Sequence, residues 1–328
     1  MCKVILLNKE GYDPFINFLK GISIFFVVLT HCLPAQQYLL FSLWGSQAVP
    51  LFLLIQVFHA YKKGTPNKMS VSSLKKLYKR IVLPFLILLF VQSLLMLISG
   101  HEFIDIIKDA MFSGGIGPGS YYVWIYVQFF FLLWLLKSLF MHVSGGGLLI
   151  LLTVISEAIE MFCIYTCIPD SLYRLLFFRY FFLIYLGYMW TIRGIALNRT
   201  TLFLSILSIF FIIMFNYINI NFEPFFFKTA WKTFHWICYF YTAHLFIFLL
   251  NKSYLILGEK IKYIFCLMGK SSYEIFLLQM FVFTFFQIQW LSFIGNKYIM
   301  VMLSVLLTTS LSICPVLFYN HYLRKYKY

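Results

Sequence analysis

Long apolar runs of about twenty residues alternate along the chain with short polar and basic stretches. The runs are unbroken. A membrane barrel would instead alternate apolar and polar positions over about ten residues. Lipid offers no partner to a backbone N–H or C=O, so unbroken runs of this length are helices. The pattern predicts helices over 16–33, 46–61, 81–99, 121–141, 148–166, 176–192, 201–220, 233–250, 272–291 and 299–319. The expected fold class is all-α: a polytopic integral membrane bundle of about ten transmembrane helices, in a single domain over 1–328. The longest connection on the outer side, 100–120, has two halves. HEFIDIIKDAMF carries apolar residues at helical spacing and suits the membrane surface. SGGIGPGS reads as a flexible turn.

Composition agrees. Hydrophobic residues make up 62% and charged residues 11%, against about 25% charged in a soluble domain. The net charge of +15 is read as topology and not as a nucleic-acid surface, because basic residues collect in cytoplasmic loops. With the N-terminus inside, only Lys108, Arg174, Arg179, Lys228, Lys232 and Lys297 of the 26 Lys and Arg fall outside. Both termini are therefore expected in the cytoplasm, and the chain at the cell membrane, a bacterial inner membrane or a plasma membrane. Glu10 and Asp13 precede the first run, which argues against a cleaved signal peptide. The seven cysteines form no CxxC pair and no Cys/His cluster. They read as buried thiols, and no metal site is expected.

Ionisable groups inside a bilayer are costly and are candidates for function. Lys20 and His31 lie eleven residues apart on the first helix, which is three turns plus about 20°, so they share one face about 16 Å apart. This stripe offers a cation near the cytoplasmic mouth and a titratable base deeper in. The same pattern also suits an interfacial Lys that snorkels and a His near the outer headgroups. In SLKKLYKRIVLPF, Lys76 is three and four residues from Lys79 and Arg80, so these cations share a face and suit phosphates. The positive-inside pattern alone predicts basic residues there too. Glu157 and Glu160 share a face of the fifth helix. They suit an acid/base pair, a cation site, or two neutral hydrogen-bonded core groups. His235 and His244 lie on opposite sides of their helix and read as satisfied polar residues.

Six segments, in order, resemble the type 3 membrane acyltransferases: INFLKGISIFFVVLTHC with Lys20 and His31, SQAVPLFLL, KKLYKRIVLP, YYVWIYVQFF, FFLIYLGYMW and GKSSYEIFLLQ. The resemblance runs from about residue 14 to 280. Two departures stand out. Lys76 and Lys79 occupy positions where Arg is commoner in the family, and a Lys holds a phosphate less rigidly than an Arg fork. Gln279 stands where the family usually has His; it still donates and accepts hydrogen bonds.

The resemblance implies an O-acyltransferase. An acyl-CoA, in the first instance acetyl-CoA, would be the donor substrate, with no permanently bound cofactor. Lys20, Lys76, Lys79 and Arg80 would hold its phosphates, and His31 would be the general base. The acceptor would be a carbohydrate or lipid-linked glycan at the cell surface or on its way out. Tyr273 and Gln279 are candidates for stabilising the oxyanion. Partners in polysaccharide assembly fit the same picture. The rival reading is a transporter or exporter of a glycan or lipid-linked intermediate, which basic loops and buried acids also suit. Pro50, Pro84 and Pro315 are not arranged as the paired helix breaks such a protein would need.

Overall fold

A computed structural model describes residues 14–32, 40–62, 69–143, 145–194, 197–216, 235–286 and 295–319. Among these residues there are helices and no strand. In chain order the helices are α1 (Pro14–Cys32), α2 (Ala48–Lys62), α3 (Val71–Leu77), α4 (Leu83–Ile98), α5 (Phe103–Phe112), α6 (Tyr121–Leu135), α7 (Lys137–His142) and α8 (Gly145–Tyr165). They continue with α9 (Asp170–Leu175), α10 (Phe181–Arg193), α11 (Arg199–Asn216), α12 (Ile247–Ile256), α13 (Glu259–Lys270), α14 (Ser272–Phe285) and α15 (Lys297–Phe318). Among the described residues, six stretches are long and apolar enough to cross a membrane: Pro14–Cys32, Phe41–Lys62, Val71–Ile98, Gly145–Tyr165, Arg199–Asn216 and Tyr298–Phe318. α6 and α14 are apolar but shorter. The expected helix positions at 33, 217–220, 233–234 and 287–291 lie outside the described residues.

Local sequence explains several boundaries. Pro14 opens α1, where its fixed φ suits a first turn and its missing N–H has no partner to lose. The Asn296 side chain accepts from the N–H groups of Tyr298 and Ile299 and so caps α15. Gly194, at φ +72°, ends α10. The third expected helix starts ten residues early, because Val71–Ile98 is continuous. Its middle, Tyr78–Val82, is a π segment carrying Lys79 and Arg80. Pro84 supplies the reason: it cannot donate to the Arg80 carbonyl and its ring crowds that carbonyl, so the preceding turn widens. The sixth expected helix starts late. A 3₁₀ turn, Phe178–Tyr180, precedes α10 and holds Arg179, which is buried.

The chain divides into two compact units. One contains Val49–Leu77 and Trp124–Leu257. Its centre is α10, buried along Phe181–Gly187 and at Trp190. The Trp190 indole donates to the Ala243 carbonyl at 3.0 Å, and Gly187 lets α10 lie directly on Val57 of α2. The other unit contains Pro14–Ala48, Tyr78–Val123 and Gly258–Tyr328. Its centre is α1, which packs on α13, α14 and α15. Two glycines set that crossing. A Cβ on Gly21 would lie 1.9 Å from the Phe265 carbonyl oxygen, and one on Gly269 would lie 1.8 Å from that of Asn17. The backbones of α1 and α13 therefore touch without side chains between them, as at small-residue crossings in membranes. By contrast α4 is an outer helix, with Ile87, Phe90, Leu94 and Ile98 exposed.

Candidate active site

In the unit centred on α1, three helices run in step. Asn17 of α1 meets Gly269, at the end of α13, and α14 then turns back alongside α1. The Tyr273 hydroxyl at the start of α14 donates to the Ile81 carbonyl at 2.5 Å. The next residue back is Arg80. Lys20 precedes Gly21, whose backbone meets Gly269 at the α13–α14 corner, and Lys79 and Arg80 precede Ile81, which Tyr273 of the same corner holds. Lys20 is half-buried, while Lys79 and Arg80 are exposed. None of the three has a carboxylate partner among the described residues. Lys76 is exposed and belongs to the other unit. Tyr273 is thus a hydrogen-bond donor to backbone at this end.

Eleven residues further along each helix lies the second level. Lys20 is followed by His31, Ile81 by Gln92, and Tyr273 by Thr284. The rise is about 16 Å in each case. His31 is half-buried, its ring 5.8 Å from that of Phe283, and it makes no hydrogen bond among the described residues. Its neighbour Cys32 meets Thr308 of α15 at 2.8 Å. Gln92 donates to Thr284 Oγ1 at 3.0 Å. Gln279, one turn before Phe283, is fully buried and donates to the Pro118 carbonyl at 3.1 Å.

That last bond corrects the reading of SGGIGPGS as a flexible turn. Gly114, Gly115, Gly117 and Gly119 all have positive φ, and the segment folds inward with Ile116 buried. A Cβ on Gly117 would lie 2.6 Å from Thr284 Oγ1 and 2.9 Å from the Met280 carbonyl. Glycine here serves close approach to α14 in a left-handed backbone, not mobility.

The two acids of α8 belong to the other unit and are separately occupied. Glu157 Oε2 accepts from the Trp236 indole at 2.8 Å and lies 3.3 Å from His235 Nε2. Glu160 accepts from the Tyr173 hydroxyl. Burial first, and then the Glu160 carboxylate, hold that hydroxyl well above its ordinary pKa. Arg179 lies over the Tyr180 ring at 4.6 Å. Among the described residues no group of three or more His, Cys, Asp or Glu is placed to hold a metal ion. Sequence spacing missed two things: His235 meets Glu157 across 78 residues, and Gln92 joins α4 to α14. Neither pairing has a local signal, since both are made by tertiary packing.

The helices, their apolar outer faces and a histidine below a group of cations define a helical membrane protein with a candidate transfer site. The sequence model of the acyltransferase domain family matches residues 13–319. The chain belongs to this family, the type 3 acyltransferases, and is a membrane acyltransferase. No curated protein and no solved structure matches it.

Proposed function

We propose that the protein moves an acyl group, acetyl in the first instance, from acyl-CoA to a hydroxyl of a cell-surface or exported carbohydrate. The single observation that carries this reading is the two-level arrangement of one unit. Among the described residues, cations without carboxylate partners stand at one level, and a histidine without a hydrogen bond stands about 16 Å further in. In this reading Lys20, Lys79 and Arg80 hold the CoA phosphates, and an extended pantetheine arm reaches the His31 level. His31 removes the proton of the acceptor hydroxyl. The alkoxide attacks the thioester carbonyl, the C–S bond breaks, and the thiolate leaves as CoA, taking up the proton. A positioned base of this kind contributes roughly 10²–10⁴-fold. Ten spans with both termini in the cytoplasm at the cell membrane complete the proposal, since they place the cationic level where acyl-CoA is made. A glycan or lipid-linked intermediate approaches from the other side, alone or with a polysaccharide-assembly partner.

The test uses membranes carrying the wild type or His31→Ala at matched abundance, supplied with acetyl-CoA labelled in the acetyl group. Alkali-labile label on the native glycan fraction, lost in His31→Ala, is the expected result. Equal label in both removes His31 from the chemistry. No label in either, with the glycan present, overturns acetyl transfer to that acceptor.

A further inference from the structure

The base level of the α1 unit contains hydrogen-bonding groups that the acyl donor does not explain. Gln92 and Gln279 are both fully buried. Each turns its amide nitrogen to a backbone carbonyl, Gln92 to Met280 at 3.4 Å and Gln279 to Pro118 at 3.1 Å. A carbonyl only accepts, so these contacts fix which end of each amide is which. The Oε1 atoms of Gln92 and Gln279 are left buried and accept no hydrogen bond among the described residues. The glycine segment adds donors. The N–H groups of Gly115, Ile116, Gly117 and Gly119 donate to nothing among the described residues. Buried side-chain oxygens left this way, as the two amide oxygens are, are costly, and native proteins hold few of them.

We propose that Gln92, Gln279 and the inward-folded 113–120 segment form the binding site for the acceptor, a polyol whose hydroxyls donate to the two amide oxygens and accept from the loop N–H groups. This rests on the acyltransferase reading. A thioester presents only acceptors at the reacting centre, so it cannot satisfy an amide oxygen. A hydroxyl donates and accepts at once, which matches a cluster of both kinds. The Phe283 ring, one turn from Gln279 on α14, lies 5.8 Å from the His31 ring, so the base stands at the same level of this unit.

The test compares wild type, Gln92→Met, Gln279→Met and Gln279→His in membranes. The probes are labelled acetyl-CoA and the native glycan fraction, each varied in turn. The Met variants keep length and lose the amide, acceptor oxygen and donor nitrogen together, while His restores a donor and an acceptor. In the Met variants, the glycan concentration for half-maximal labelling should rise at least tenfold. The acetyl-CoA concentration for half-maximal labelling should stay within twofold, a split between the two substrates that a merely structural role would not give. Gln279→His should recover most of the glycan response. An unchanged glycan response overturns the proposal. So does an equal rise in the acetyl-CoA requirement, which would assign the cluster to the pantetheine arm. Protection of the purified protein against heat by the glycan fraction reads binding without transfer. Wild-type protection that Gln279→Met loses supports the site even if no acyl group moves. Labelling that depends on His31 but ignores both glutamines sinks this inference alone.

Discussion

The Tyr273 hydroxyl donates to the Ile81 carbonyl at 2.5 Å. This single bond ties the start of α14 to the π segment that presents Lys79 and Arg80. Tyr273→Phe keeps the ring and removes the bond. The expected cost is about 1 kcal/mol of stability. Freed from α14, the cations should hold phosphate less well, so the acetyl-CoA concentration for half-maximal labelling should rise while the glycan requirement stays fixed. A rise in both would mean that the bond supports the whole bundle and not the cationic level.

Pro84→Ala should behave in the opposite way on stability. Alanine restores a donor for the Arg80 carbonyl and removes the clash that widens the turn. The π segment should close to α-helix, which rotates Lys79 and Arg80 relative to α4. Thermal stability is expected to hold or increase, while the acetyl-CoA requirement rises. Unchanged donor kinetics would show that the register of these two cations does not matter.

The α1–α13 crossing makes a sharper prediction. Gly21→Ala and Gly269→Ala each push a methyl group into a backbone carbonyl at under 2 Å. Overpacking of this kind costs about 1–3 kcal/mol, and a rigid backbone neighbour places these two at the upper end. Gly146→Ala on α8 meets nothing within 4 Å and serves as the control. It should be neutral or stabilising by roughly 0.4–1 kcal/mol. Thermal unfolding in detergent, read for all three, decides.

The acids of α8 should prove structural. Tyr173→Phe removes one hydrogen bond to the buried Glu160 carboxyl, and Glu157→Gln changes the carboxylate beside His235. Each should lower the unfolding temperature, the first by about 1–3 kcal/mol in free energy. Labelling per folded molecule should remain dependent on His31. A variant with normal stability and no labelling would move Glu157 into the chemistry.

The apolar runs by themselves determined an all-helical membrane chain, because only a helix satisfies its own backbone in lipid. Six ordered segments from Lys20 to Gln279 also made the acyltransferase family legible. Helical periodicity put Lys20 and His31 on one stripe, as it put Glu157 and Glu160 on another, because such pairs depend only on rise and turn per residue. Tertiary structure decided what those stripes meet. No local rule pairs Ile81 with Tyr273, Gln92 with Thr284 or Glu157 with His235, since each partner is supplied by a distant helix. Nor does the string SGGIGPGS say whether its glycines serve freedom or close approach. Gly117 and Gly119, at positive φ and packed against α14, serve approach, because only a residue without a Cβ fits beside the Met280 carbonyl.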